Sequence, residues 1–153
     1  MPAIGETASD FELLNQDSLP TRLRKYRGRK VIIFAFPQAY TANCTAQACG
    51  FRDSFPQIQA DNAVVLGISP DKPDTLKRWK IDNNLQYDLL SDPNHQVLNE
   101  WDAWGKPILG PIKLRRANRS FWVLNEEGVV IDAKLGVSPE QSVTRALKAL
   151  AST

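Results

Sequence analysis

Two thiols, Cys44 and Cys49, lie five residues apart, and they are the chain's only cysteines. Its one histidine, His95, is distant from both in sequence. A structural zinc site uses four ligands at close spacings, so two Cys and a remote His make a poor metal set. A nucleophilic mechanism with a histidine base would rest wholly on His95. That residue closes the turn Asp92-Pro93-Asn94-His95 and reads as a surface or capping residue at a helix start. The chemistry narrows to the two sulfurs.

Cys44 lies seven residues after Pro37, which ends the apolar run Val31-Ile32-Ile33-Phe34-Ala35-Phe36. A helix beginning near Thr41 to Asn43 puts Cys44 in its first turn. Backbone N–H groups there have no intrahelical partner, and the helix dipole adds positive potential. Both favour a thiolate, the nucleophilic form, which a free thiol populates to only a few per cent at neutral pH. The competing reading is a buried structural cysteine, since free Cys packs as a small hydrophobe. Cys49 would lie about 140° around the same helix and ~7.5 Å along it. A disulfide needs Cα atoms within about 7 Å, so the two cysteines cannot join in an intact helix. Either Cys49 meets Cys44 after local unwinding, or it is only a core residue.

The elements that must position these sulfurs form a strand–helix alternation. The run 31–36 reads as a buried strand, as do Ala63-Val64-Val65-Leu66-Gly67-Ile68 and Ser120-Phe121-Trp122-Val123-Leu124. Val129-Val130-Ile131-Asp132-Ala133 follows the turn Asn125-Glu126-Glu127-Gly128 and pairs back as a hairpin. Helices are predicted from Thr41 to Phe55, with a break or second start at Pro56, and from Asp74 to Asn83. A last helix opens with Ser138 as cap, Pro139 in the first position and Gln141 completing a capping box. Its Val143, Ala146, Leu147 and Leu150 share one face. This order predicts an α/β domain over residues 1–153, three layers deep, with helices on both faces of a central mixed sheet.

Composition sets outer bounds. The 153 residues are 42% apolar and 24% charged, ordinary for a globular domain. Lys and Arg outnumber Asp and Glu by 19 to 17, a net charge of +2, too small to suggest nucleic acid or a membrane as partner. The basic cluster Arg22, Arg24, Lys25, Arg27, Arg29 and Lys30 reads as a solvated segment before a strand. No apolar run approaches the ~18 residues that cross a bilayer. Met1 to Glu6 lack the basic and apolar regions of a secretory signal, so the cytoplasm is the expected compartment.

Pro37-x-x-x-Thr41-x-x-Cys44 resembles the active-site pattern of the peroxiredoxins. The continuation Cys44-Thr45-Ala46-Gln47-Ala48-Cys49-Gly50-Phe51-Arg52-Asp53 is similar to the subfamily called bacterioferritin comigratory protein, or peroxiredoxin Q. The likeness extends to Ile4–Phe11, Val65–Asp71, Leu89–Asp92, Trp104-Gly105 and Arg119-Ser120. It implies a thioredoxin-like α/β/α fold with an N-terminal hairpin extension, and a peroxidase acting on hydrogen peroxide and organic hydroperoxides without metal, haem or flavin. By resemblance, Cys44 attacks the peroxide and becomes a sulfenic acid. The Thr41 hydroxyl bonds the thiolate and the peroxide, Arg119 holds both with its fork of donors, and Pro37 shields the site. Cys49 then closes a disulfide that a thioredoxin or glutaredoxin reduces. A monomer or weak homodimer is implied.

Read without the motif, Thr41 is a helix cap, Pro37 a strand terminator and Arg119 a surface charge. Arg115 and Arg116 compete with Arg119 for its role. The chain departs from the subfamily at Ala42-Asn43, where Pro-Gly is common, at Gln47, where Glu is usual, and at Phe121, where Thr is typical. Without a carboxylate at position 47, a thiolate at Cys44 is favoured. Two other functions compete: a one-cysteine peroxidase with Cys49 idle, and a redox sensor whose thiol pair switches a surface. A thiol-disulfide oxidoreductase fits less well, because such proteins use Cys-x-x-Cys.

Overall fold

The unbroken apolar runs lie at the centre of the protein, a computed structural model describing residues 1–152. Its strands are β1 (Glu12–Asn15), β2 (Pro20–Arg22), β3 (Lys30–Ala35), β4 (Ala63–Ser69), β5 (Asp88–Ser91), β6 (Trp104–Leu109), β7 (Ile112–Ala117), β8 (Ser120–Leu124) and β9 (Val130–Leu135). Its helices are α1 (Ala42–Asp53), α2 (Phe55–Ala60), α3 (Pro73–Asp82), α4 (Gln96–Glu100) and α5 (Pro139–Ala151). A seven-stranded mixed sheet runs β2-β1-β5-β4-β3-β8-β9, and β6 and β7 form a separate hairpin. β3 pairs parallel to β4 with Ile33 opposite Leu66, and antiparallel to β8 with Ile33 opposite Trp122.

Side chains alternate across β3 as a pleated strand requires. Ile32, Phe34 and Phe36 face one core, while Val31, Ile33 and Ala35 face the other. The first core receives Cys44, Ala48 and Phe51 of α1, Ile58 of α2, Leu76 and Trp79 of α3, and Ala146, Ala149 and Leu150 of α5. The second is closed mainly by Phe11, Leu23, Trp101 and the α4 residues Val97 and Leu98. The expected mixed sheet with helices on both faces is present, with the helices unevenly divided.

Several local expectations meet their physical cause. Ser138 and Gln141 form the capping box, each bond 3.1 Å, and Pro139 opens α5. The helix read from Thr41 to Phe55 divides at Ser54, and α2 starts with Pro56 in its first turn. At the β8–β9 turn the Asn125 carboxamide accepts from Glu127 and Val129 N–H, and Gly128 takes φ +78°. The N-terminal hairpin is part of the main sheet, because β1 pairs with β5 as well as with β2. Within the basic segment, Leu23–Tyr26 forms a 3-10 turn and Arg22 pairs with Asp10 and Glu12. His95 holds the N-cap position of α4 at φ +58° but caps nothing with its side chain. Its ring stacks on Trp104, centroids 3.5 Å apart. The capping falls to buried Asp92, whose carboxylate accepts from Gln96 and Leu98 N–H at 3.0 and 2.8 Å. Burial raises the Asp92 carboxyl above its ordinary value, against the pull of those amides.

Candidate active site

Beyond β3 the chain is tied down residue by residue. Phe36 N–H donates to Ile68 carbonyl, and Ala39 N–H donates to the Asp71 carboxylate at 2.8 Å. Asp71 is itself fixed by the Ser69 hydroxyl at 2.8 Å. Tyr40 takes φ +67°, uncommon for a non-glycine residue, and its hydroxyl donates to Asp82 at the end of α3. Thr41 is then the N-cap of α1, and Thr45 N–H donates to its carbonyl. Cys44 is thus the third residue of the helix, among the amides that lack an intrahelical acceptor. Its side chain is 0% exposed and packs in the first core.

Arg119 enters from the chain just ahead of β8. Its Nη2 lies 3.4 Å from Cys44 Sγ. Its Nη1 donates to Gln47 Oε1 at 2.8 Å and to Asn43 carbonyl at 3.4 Å. Gln47 is fully buried, and its Nε2 donates to Ser142 Oγ of α5 at 3.1 Å. The positive end of α1 and a guanidinium that stays charged therefore converge on one sulfur. Arg115 and Arg116 are exposed on β7, and it is Arg119 that meets the Cys44 sulfur. A cleft of about 330 Å³ opens beside Arg119, walled by Pro37, Asn43, Arg116, Val137 and Pro139.

Cys49 lies further along the unbroken α1, half-buried, with Sγ 3.8 Å from Asn83 Oδ1. Both cysteines are free thiols. Three polar contacts pin the intervening helix: Trp79 Nε1 donates to Thr45 Oγ1 at 3.3 Å, Gln47 reaches Ser142, and Tyr87 hydroxyl donates to Ala48 carbonyl at 2.7 Å. Burial, and secondarily the neighbouring Cys49, pushes the Tyr87 hydroxyl well above its ordinary value, so it remains a hydrogen-bond donor.

Residues 4–133 match the model of the AhpC/TSA family. A Haemophilus influenzae protein bearing the Bcp peroxiredoxin name is 39% identical over 129 residues, 84% of this chain and 83% of the relative. The chain belongs to the peroxiredoxins. The crystal structure of the peroxidoxin BcpB from Mycobacterium tuberculosis superposes with TM-score 0.88 at 28% identity, covering 99% of this chain and 98% of the other. The bacterioferritin comigratory protein of Xanthomonas campestris, described for its alkyl peroxide reduction activity, shares the fold with TM-score 0.86 at 22% identity, covering 93% and 90%.

Within this peroxiredoxin, Cys44 and Arg119 are in contact and Pro37 walls the adjoining cleft. The Thr41 hydroxyl differs from expectation: it donates to Gln38 carbonyl at 2.7 Å, closing a local turn, rather than to Cys44. Three supporting residues had no role in the sequence: Asp71 under the loop, which ends the Val65–Asp71 stretch of the likeness, Tyr87 against α1 and Ser142 behind Gln47. Gln47 stood out as a departure from the subfamily, which was the one signal pointing toward the last of these.

Proposed function

We propose that the chain is a thiol-dependent peroxidase for hydrogen peroxide and organic hydroperoxides, with Cys44 as the attacking thiolate. The observation that carries the proposal is the Cys44 sulfur in the first turn of α1 with Arg119 Nη2 3.4 Å away. The thiolate attacks one peroxide oxygen. An S–O bond forms, the O–O bond breaks, and the leaving oxygen takes a proton and departs as water or alcohol. Arg119 steadies the charge as it moves from sulfur to oxygen. Thr41 contributes by turning its hydroxyl from Gln38 to the peroxide, and Pro37 keeps water from the sulfur.

The product is a Cys44 sulfenic acid. Cys49 attacks it, a disulfide forms and water leaves. This step requires α1 to unwind between the two residues, since an intact helix holds them too far apart. A dithiol donor of the thioredoxin or glutaredoxin type restores both thiols and is itself oxidised. The alkyl peroxide activity described for the Xanthomonas relative supports an organic hydroperoxide as substrate. The proposal has the enzyme working in the cytoplasm, where such donors stay reduced, as a monomer or weak homodimer.

Stopped-flow tryptophan fluorescence of the reduced protein mixed with hydrogen peroxide tests this. Trp79 is bonded to Thr45 of α1 and reports the helix opening. Wild type should show a peroxide-dependent first phase, absent in Cys44→Ser, and a peroxide-independent second phase, absent in Cys49→Ser. A wild type no faster than a free thiol would overturn the peroxidase reading. A second phase that survives Cys49→Ser would leave the one-cysteine form.

A further inference from the structure

We propose that Ser142 is a positioning residue of the peroxide step, acting through Gln47 to hold Arg119 against Cys44. The proposal rests on the reading of Arg119 as the partner of the attacking sulfur. Ser142 is fully buried, on a different helix from Cys44, and 95 residues from Gln47 in sequence. The capping box of α5 sets its place, because Ser142 N–H donates to Ser138 carbonyl in the first turn.

The direction of each hydrogen bond is determined by its neighbour. The Ser142 hydroxyl donates to Pro139 carbonyl at 2.8 Å, so its single proton is in use and Oγ can only accept. It accepts from Gln47 Nε2, which turns Oε1 of the same amide toward Arg119 Nη1 at 2.8 Å. A flipped amide would set Nε2 against a guanidinium donor and Oε1 against an oxygen with no proton to give. Both ends would be left unpaired in a buried site. With Nη1 held, the planar guanidinium has one orientation left, and Nη2 meets the sulfur.

The same chain of bonds explains why Gln suits position 47 here. A glutamate would present an acceptor to Ser142 Oγ and require the proton now given to Pro139. It would also place a buried anion beside Arg119, competing with the Cys44 thiolate for one cation. Gln47 and Ser142 are matched in donor and acceptor. A serine bonded only to its own helix would need no such match.

A double-mutant cycle tests the proposal in the full chain, read as the rate constant of the first fluorescence phase, with thermal midpoints recorded in parallel. Ser142→Ala should slow the peroxide step about tenfold, short of the ~100-fold that displacing a reacting group by an ångström costs. It should not slow the second phase, because the Gln47–Ser142 bond it removes is one of those that hold α1 wound. Arg119→Ala should slow the peroxide step by about 100-fold or more. In the Arg119→Ala background Ser142→Ala should cost nothing further, because the group it positions is gone. Gln47→Met, which keeps the volume and removes both bonds, should match Ser142→Ala and not add to it. A Ser142→Ala penalty equal in both backgrounds, or no penalty in either, would overturn the positioning role while leaving Arg119 in place. A wild-type rate in Arg119→Ala would remove the arginine's own role and the proposal with it.

Discussion

Tyr87→Phe should make the enzyme less stable and yet faster at closing its disulfide. The Tyr87 ring is 4% exposed and packs edge-on to Phe34 at 5.9 Å, which phenylalanine preserves. Only the hydroxyl is lost, and with it the 2.7 Å bond to the carbonyl of Ala48, the residue before Cys49. That carbonyl keeps its ladder bond within α1, so no acceptor is stranded and the cost is that of one net hydrogen bond, about 1 kcal/mol. The bond exists only while α1 is wound. Its loss therefore raises the opening equilibrium about fivefold. Where opening is a fast pre-equilibrium before condensation, the second fluorescence phase should quicken by that factor. The first phase should be unchanged, because wound α1 remains the dominant form that meets peroxide. The thermal midpoint should fall by about 2–4 °C for a domain of this size. Faster closure also shortens the life of the sulfenic acid, so high peroxide should yield less sulfinic acid by mass spectrometry. A lowered midpoint with a second phase unchanged or slowed would refute the idea that unwinding at Ala48 limits closure.

All three tyrosines should resist ionisation. Burial, then the charge of Asp88, pushes Tyr26 up to about 12, the bond to Asp82 raises Tyr40, and burial raises Tyr87. The native chain therefore keeps phenolic protons that the unfolded chain releases, and stability should fall as pH rises from about 10 toward 12. Ultraviolet titration should show phenolate appearing together with loss of circular dichroism; a midpoint at the ordinary tyrosine value with the fold intact would contradict it. Gly67→Ala should cost about 1–3 kcal/mol by overpacking, since a Cβ there would meet Leu89 Cδ2 at 2.7 Å and Phe34 Cζ at 3.0 Å. Chemical denaturation measures this, and a stability equal to wild type would mean that the β3–β5 core yields more readily than its packing suggests.

What could be read in the sequence was local. β3, β4 and β8 are unbroken apolar runs, the α5 cap is a four-residue pattern, and Cys44 falls in a first turn by its distance from Pro37. β5 is four residues long, too short for a period to register, and for α4, with five, the turn Asp92-Pro93-Asn94-His95 marked the start but no period gave the extent. β6 and β7 form a hairpin outside the main sheet, in a stretch interrupted by Gly105, Pro107, Gly110 and Pro111. The polar contacts of the site are another matter. Arg119 meets Cys44 across 75 residues, Gln47 meets Ser142 across 95 and Tyr87 meets Ala48 across 39. No spacing rule encodes such pairs, and only the strand pattern Ser120-Phe121-Trp122-Val123 that follows it favoured Arg119 over Arg115 and Arg116.

The same contrast bears on how α1 serves two opposed demands. Its first turn, Ala42-Asn43-Cys44-Thr45, carries Asn, Cys and Thr, which are weak helix formers. Its N-cap side chain gives the helix no bond, since the Thr41 hydroxyl is spent on Gln38. Little of the helix's stability is intrinsic. It is held from outside by Arg119 at Cys44, Trp79 at Thr45, Ser142 at Gln47 and Tyr87 at Ala48. Each of these contacts is exchanged for water on opening, at a net cost of about one hydrogen bond apiece. A charged thiolate draws Arg119 in, and a neutral sulfenic acid holds it less. Oxidation thus weakens the first of the four contacts at the moment when unwinding is needed. A strongly capped, alanine-rich helix would position the sulfur as well and then fail to release it.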